Sequence, residues 1–291
     1  MTKLAVVDIG GTTIKFATWD ESRLLDIHRI QTPSDLTSFY DLLATEIEKI
    51  KEKIDIVGVA ISSPGAVNKV SGVIEGASAI PYIHNFDMQS KLKKIFDLPV
   101  TLENDANCAA LAELAVGAGE KNQSLAFLVI GSGVGGTVVI DRKIWHGAHL
   151  FGGEFGYMLA DDEHTLSNLS SPVELGKWYQ QKTGRKASGK KVFELAKQDD
   201  LIAKEGIERM ISVLATAVYN IQYSFDPEKI IIGGSISENP ELLNMIDEKI
   251  AIIRRKVGIA SIKPIVEACQ YKGEANLRGA VEDYITTQGG K

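Results

Sequence analysis

The segment that most restricts the fold lies close to Met1. Leu4–Val7 is a short apolar run that ends in Asp8-Ile9-Gly10-Gly11-Thr12-Thr13. Beyond the glycines, Ile14, Phe16 and Thr18 alternate with Lys15, Ala17 and Trp19, the two-residue period of a strand. The glycines therefore join two strands into a hairpin, whereas a dinucleotide fold would place a helix after them. The arrangement recurs where Leu125–Ile130 and Thr137–Ile140 flank Gly131-Ser132-Gly133-Val134-Gly135-Gly136. Strand, glycine turn, strand at the head of both halves is a weak internal repeat, such as an ancient duplication leaves. In the first half the pattern continues with a strand at Leu24–Ile30 and a helix capped by Ser34, with Leu36, Phe39, Leu43, Ile47 and Ile50 on one face. Strands at Ile56–Ile61 and Val100–Leu102 and helices at Met88–Phe96 and Cys108–Val116 complete it. The second half predicts helices at Val173–Thr183, Lys190–Lys197, Lys204–Phe225, Glu241–Arg255 and Gly273–Tyr284, with a strand at Ile230–Ile232. Residues 70–84 and 152–172 show little periodicity. Two successive α/β units, with a cleft between them, are the predicted architecture, and 291 residues suit two domains.

Charge and cysteine content remove several function classes. Lys plus Arg is 32 against 38 for Asp plus Glu, a net charge of −6. No broad nucleic-acid footprint is expected, because neutralising phosphates takes clustered positive charge. Cys108 and Cys269 are the only cysteines, which excludes a disulfide framework and a four-thiolate zinc site. His28, His84, His146, His149 and His164 show no metal-ligand spacing. The most apolar stretch, Leu125–Ile140, is broken by glycines and too short to span a bilayer as a helix. With no leader-like segment ahead of the first strand, a cytoplasmic protein without a membrane partner is the expectation.

Three segments carry chemistry. Phosphate oxygens need several donors and close backbone approach, and a glycine turn supplies both. Asp8 stands at a strand end beside the first turn, where a carboxylate can hold a magnesium ion, directly or through water, against nucleotide phosphates. Thr12 and Thr13 add hydroxyls and Lys15 a cation. Either turn taken alone reads equally well as a plain hairpin; two of them, each opening a domain, favour phosphate binding. Gly233-Gly234, after a strand, leaves room for an adenine ring, although such a pair is also a common strand–helix turn. The second segment is Glu103-Asn104-Asp105, between an apolar strand and a helix. Phosphoryl transfer to a hydroxyl needs a base aligned with the nucleophile and little covalent chemistry. Spacing alone slightly favours Asp105 as a simple N-cap, with Asn104 as the complication, since an amide beside a carboxylate suits a polyhydroxyl ligand. The third segment is Gly152-Gly153-Glu154-Phe155-Gly156-Tyr157 with Glu174 beyond it, polar groups that match sugar hydroxyls together but read singly as surface residues.

Taken in order, Asp8-Ile-Gly-Gly-Thr-Thr-Ile-Lys15, Ser63-Pro-Gly-Ala-Val67, Glu103-Asn-Asp-Ala-Asn107, Gly131-Ser-Gly-Val-Gly-Gly136, Gly153-Glu-Phe-Gly156 and Ile231-Ile-Gly-Gly234 resemble the ROK family (repressors, open reading frames, kinases) over nearly the whole chain. The resemblance implies the actin/hexokinase-like fold, two ribonuclease-H-like domains. The domains would be 1–106 with about 274–291, and 107–273. It implies an ATP- and Mg²⁺-dependent kinase that phosphorylates a sugar hydroxyl, usually the 6-hydroxyl. By this similarity Asp105 is the catalytic base, and Gly65, Asn104, Glu154, Tyr157 and Glu174 stand at sugar-binding positions. Asp8, Gly10, Gly11, Thr12 and Lys15 match the first phosphate segment, with Asp8 toward Mg²⁺. Gly131, Ser132, Gly133, Gly135 and Gly136 match the second, and Gly233 and Gly234 the adenosine segment. A homodimer is implied by the same analogy, and the helix after Glu274 is expected to pack back onto the first domain. The DNA-binding module of repressor members has no place ahead of Asp8, so a sugar sensor that lacks it is the rival from another class.

Two departures refine the expectation. Tyr157 replaces the usual sugar- and zinc-binding histidine, and Thr165, Ser167 and Pro172 stand roughly where three cysteines would be. No structural zinc is expected, and apolar packing of Leu159, Leu166 and Leu169 is expected to hold loop 157–172 instead. Gly153-Glu-Phe-Gly-Tyr-Met158, Glu103-Asn-Asp-Ala-Asn-Cys108 and Asn85-Phe-Asp-Met88 are similar to the β-glucoside kinases of the family, which phosphorylate cellobiose-like sugars. A loop without its zinc clamp leaves room for an aglycone, with Tyr82 or Tyr157 to stack on it. The alternative is a monosaccharide kinase for glucose, fructose or N-acetylmannosamine.

Overall fold

A computed structural model describes residues Thr2–Gly289. In chain order the elements are β1 (Lys3–Ile9), β2 (Thr13–Asp20), β3 (Arg23–Gln31), α1 (Leu36–Lys51), β4 (Gly58–Ser63), β5 (Ala66–Asn68), β6 (Val73–Glu75), α2 (Met88–Phe96), β7 (Val100–Asn104) and α3 (Asp105–Val116). They continue with β8 (Leu125–Ile130), β9 (Val134–Ile140), β10 (Lys143–Ile144), α4 (Leu166–Ser170), α5 (Pro172–Thr183), α6 (Gly189–Ala196), α7 (Leu201–Phe225), β11 (Lys229–Gly233), α8 (Pro240–Val257), β12 (Val266–Ala268) and α9 (Ala275–Gln288). The chain divides into two compact units. One comprises Met1–Val116, Ala148–Phe151 and Gly273–Lys291; the other comprises Gly117–Gly147 and Gly152–Lys272.

The first unit is built on a five-stranded sheet of order β3-β2-β1-β4-β7. β1 pairs antiparallel with β2 through the glycine turn, and β1, β4 and β7 run parallel. The strand alternation sorts β1 onto two cores. Ala5, Val7 and Ile9 face α1 and α2 with Phe39, Leu43, Ile47, Leu92 and Phe96. Leu4 and Val6 face α3 and α9 with Cys108, Leu277, Ala280, Val281 and Tyr284. A parallel sheet covered on both faces needs apolar residues at successive positions, which the run Leu4–Val7 supplies. The cap of α1 is Asp35 rather than Ser34: its carboxylate accepts from Ser38 N at 2.9 Å, so the helix begins one residue later than the Ser34 pattern implies. Residues 70–84 hold more order than their periodicity shows, with β6 pairing to β5 and a 3₁₀ turn at Pro81–Ile83.

The second unit repeats the plan with a sheet of order β10-β9-β8-β11-β12. Again a glycine turn joins the first antiparallel pair, and β8, β11 and β12 run parallel. Matching strand order and direction around matching turns is the structural form of the internal repeat. The core packs Ala126, Leu128 and Ile130 against α7 and α8 through Ile211, Leu214, Val218, Leu242 and Ile246. Among the described residues no helix is long and apolar enough to cross a membrane.

Loop 157–172 is held differently from the expected leucine packing. Leu166 is buried and Leu169 half-buried, but Leu159 is 74% exposed. Hydrogen bonds do the rest. Thr165 and Asn168 form a reciprocal capping box on α4. Ser167 Oγ accepts from Val134 N at 2.9 Å and donates to Val134 O at 3.2 Å. Pro172 opens α5, where its missing N–H costs no bond. The three residues that stand in place of cysteines thus cap, tether and start elements. Among the described residues no group of three or more His, Cys, Asp or Glu side chains is placed to hold a metal ion.

Candidate active site

In parallel sheets, ligand groups gather beyond the carboxyl ends of the strands. In the first unit those ends carry Asp8 on β1, Ser62 and Ser63 on β4, and Asn104 on β7; Asp8 pairs in register with Ser62, and Ser63 with Asn104. Asp8 is only 6% exposed and fully engaged. Its Oδ2 accepts from Lys15 Nζ at 2.7 Å, and its Oδ1 from Ser62 Oγ and Asn276 Nδ2, each at 3.0 Å. Lys15 lies directly across the hairpin from Asp8, which is why the ion pair forms. The turn is closed by Gly10 N donating to Thr13 O at 3.1 Å, and Thr32 Oγ1 donates to Gly10 O at 2.6 Å. A Cβ on Gly10 would lie 2.8 Å from Thr13 O, so the turn requires glycine there. Gly11 and Thr12 are exposed.

The turn after β7 shows which residue caps the helix. The capping oxygen belongs to Asn104, whose Oδ1 accepts from Ala106 N at 2.9 Å and Asn107 N at 3.1 Å. Asp105 is already the first residue of α3, and its Oδ1 accepts from Ala106 N at 2.8 Å. The cap function is therefore filled without it. Burial pushes the Asp105 carboxyl up to about 6; the Ala106 N–H opposes the rise and the Asp8 carboxylate adds to it. A carboxylate with this proton affinity is suited to take a proton near neutral pH. Asn104 Nδ2 also donates to Gly65 O at 3.0 Å, so these two predicted residues are joined. Gly65 has φ +95°, and a Cβ would meet His84 and Ile74 at 2.7 Å. Sequence reasoning missed Ser62, Asn276 and His84. The first two support Asp8, and the buried His84 ring lies against Gly65 with Nε2 on Ser78 Oγ at 2.8 Å. Tyr82 is engaged within the fold, edge-on to Phe39 with its hydroxyl on Pro33 O.

In the second unit the glycine turn 131–136, Glu154 and Gly233-Gly234 come together. β8 and β11 are neighbours with Val129 opposite Gly233, which sets Gly131 and Gly234 at adjacent strand ends. Gly234 has φ +84°, and a Cβ there would overlap Ile130 O. On the other side, Gly153 and Gly156 let the Glu154 segment lie against β9. A Cβ on Gly153 would be 2.7 Å from Thr137 Cα, and one on Gly156 would overlap Val134 O. Ser132 is exposed at the tip of the turn. Glu174 sits in the first turn of α5, paired with Lys177 Nζ at 2.7 Å. Tyr157 is 70% exposed. A groove of about 470 Å³ that sequence reasoning did not foresee lies between α6 and the 3₁₀ turn after Gly234, lined by Lys190, Phe193, Glu194, Ile236 and Asn239 among others.

Known proteins share this layout. A Listeria innocua protein named beta-glucoside kinase is 31% identical, over 97% of this chain and 97% of its own. The crystal structure of a ROK family protein from Streptococcus pneumoniae TIGR4 in complex with sucrose superposes with a TM-score of 0.91 at 37% identity, covering all of both chains. A ROK family glucokinase from Streptomyces griseus in complex with glucose and AMPPNP matches with a TM-score of 0.78 at 26% identity, over 96% of this chain and 97% of that one. The sequence profile of the ROK family covers residues 4–283. Two copies of one sheet plan, each led by a glycine turn, together with these matches, establish that the chain belongs to the ROK family and has its actin/hexokinase-like α/β fold.

Proposed function

We propose that the protein is an ATP-dependent sugar kinase that transfers the γ-phosphoryl to the 6-hydroxyl of a glucose unit in a β-glucoside such as cellobiose. The observation that carries the kinase reading is the division of labour at the end of β7: Asn104 caps the helix, and Asp105 is left with a raised proton affinity. In the reaction Asp105 accepts the proton of the attacking hydroxyl. That oxygen bonds to the γ-phosphorus as the bond to the β–γ bridging oxygen breaks, and ADP leaves. Asn104, held by Gly65, and Glu154, Tyr157 and Glu174 orient sugar hydroxyls. The backbone N–H groups of Gly11 and Thr12 serve phosphate oxygens in the first unit, with Lys15, at a turn whose shape Gly10 sets. The turn formed by Gly131, Ser132, Gly133, Gly135 and Gly136 takes the phosphates in the second. Gly233 and Gly234 serve the adenosine.

The donor set around Asp8 fits magnesium. The Asp8 carboxylate is a hard oxygen donor, held in place by the Ser62 hydroxyl and the Asn276 amide nitrogen, and Mg²⁺ is commonly held by one or two carboxylates plus phosphates and water. Asp8 would hold the ion, which when bound neutralises phosphate charge. Lys15 balances Asp8 through their contact at 2.7 Å.

The groove at Phe193 borders the 3₁₀ turn that follows Gly234 and suits the nucleotide base: an aromatic face with Asn239 and Glu194 as hydrogen-bonding groups. Phe193→Ala is expected to raise KM for ATP about tenfold while KM for the sugar stays within about twofold, because truncating a stacked aromatic costs ~1–3 kcal/mol of base binding. Steady-state kinetics with each substrate varied in turn checks this, and an unchanged KM for ATP removes the groove from the donor site.

For the acceptor, the β-glucoside reading is supported by Tyr157 in place of a histidine, by a loop tethered through Ser167, and by the Listeria innocua relative's name. A second reading, a glucose kinase, draws on the Streptomyces griseus glucokinase. A coupled ADP assay over cellobiose, glucose, fructose and N-acetylmannosamine separates them. The expectation is a kcat/KM for cellobiose at least about tenfold above glucose, a gap that one sugar-ring's worth of contacts readily supplies. Fast turnover of a free hexose with cellobiose inert rejects the β-glucoside assignment. Sugar binding with no ADP formed from any of the four favours the sensor.

A further inference from the structure

A buried charge cluster in the first unit takes no part in the steps above. Lys69, just beyond β5, donates from Nζ to both carboxylate oxygens of Asp283 at 2.6 Å and to Leu102 O at 3.1 Å. The same Nζ is 3.6 Å from Glu103 Oε2. Glu103 is 1% exposed and Asp283 6%. The other oxygen of Glu103, Oε1, accepts from Asn104 N at 2.8 Å and from Asn107 Nδ2 at 2.9 Å. Glu103 therefore faces the base-bearing turn with one oxygen and the lysine with the other. Two carboxylates sunk this far repel each other and lose hydration, and a cation shared between them is what makes the arrangement tenable. Burial raises the proton affinity of Asp283, with Glu103 adding to the rise and Lys69 opposing it. Asp283 comes from α9, two helical turns beyond Asn276, which holds Asp8. One face of the last helix thus meets both carboxylate-bearing strand ends.

We propose that Lys69 is a positioning residue for phosphoryl transfer: anchored by Asp283, its ammonium fixes Glu103, and Glu103 fixes the Asn104–Asn107 turn that aims the Asp105 carboxylate. This role rests on the reading of Asp105 as the base. A base displaced by a fraction of an ångström still binds its substrates but loses in-line geometry, so the signature is a fall in kcat without a matching change in KM.

The test measures sugar phosphorylation and thermal melting for the wild type and for D105N, K69M, K69R and D283N. K69M is expected to lower kcat at least about tenfold, with KM for sugar and ATP within about threefold. K69R, which keeps the charge, is expected to recover kcat to within about threefold, and D283N to lose about threefold. All rates are taken well below each variant's melting point, so that lost stability alone does not register. An active wild type with wild-type kcat in K69M overturns the role of Lys69. If K69M does not fold, D283N decides, and wild-type kcat in D283N overturns it. Full activity in D105N, or a wild type inactive on every sugar, overturns the base reading instead and the Lys69 role with it.

Discussion

Asp105→Asn is expected to lower kcat for sugar phosphorylation by about 10²–10⁴-fold, the usual worth of a positioned general base. The substitution is close to isosteric, and the amide oxygen can still accept from Ala106 N, the bond that Asp105 Oδ1 accepts at 2.8 Å. Helix α3 keeps its cap, because Asn104 supplies it. Lost activity therefore reports lost proton acceptance rather than a lost fold, and KM for ATP should stay within about threefold. The pH profile gives an independent reading. Burial raises the Asp105 carboxyl to about 6. The base works only when deprotonated, so kcat/KM should fall about tenfold per pH unit below that value and level off above it. The residual activity of the variant should lack this acid limb. Activity in Asp105→Asn within about threefold of the wild type would remove Asp105 from the chemistry.

Much of this arrangement was legible in the residues because it is local. The alternation after Gly11 and the repeat of strand, glycine turn, strand depend on neighbours in sequence, and both sheets follow from them. The first unit's three parallel strands likewise declare themselves by apolar runs that end in polar pairs such as Ser62-Ser63 and Asn104-Asp105. What was not legible depends on distant partners. β12 is three residues with no fully buried position, and only its pairing with β11 makes it a strand. Leu159 reads as a core residue by type, yet it is exposed, because Thr165, Asn168 and Ser167 settle the loop through polar bonds. Asn104 and Asp105 were both visible, but which one caps turned on where α3 begins, and a one-residue difference in a helix start has no periodic signal. Asn276 and Lys69 carried no signal, since each acts on a residue brought near only by the fold, Asp8 and Asp283 respectively.

That long-range layer makes a glycine in α9 the most exacting position for stability. Gly279→Ala is expected to destabilise the first unit by about 3 kcal/mol, at the upper end for overpacking. A Cβ at Gly279 would overlap the Cys108 carbonyl oxygen and carbon of α3. A backbone carbonyl inside a helix cannot turn aside as a flexible side chain can, so the helices must separate. The contact falls at Cys108 of α3, which packs among Leu277, Ala280 and Val281 of α9, so the two helix backbones come close enough to touch. The better helix propensity of alanine, worth up to ~1 kcal/mol, offsets only part of the overlap. The melting temperature should fall by about 5–10 °C. Activity should fall as well at temperatures where the variant remains folded, because Asn276 and Asp283 lie on the same helix and hold Asp8 and Lys69. Thermal melting together with kcat separates the two effects. A melting point within about 1 °C of the wild type would mean that α3 and α9 are not packed backbone to backbone. A lowered melting point with unchanged kcat would mean that the polar contacts of α9 do not reach the chemistry.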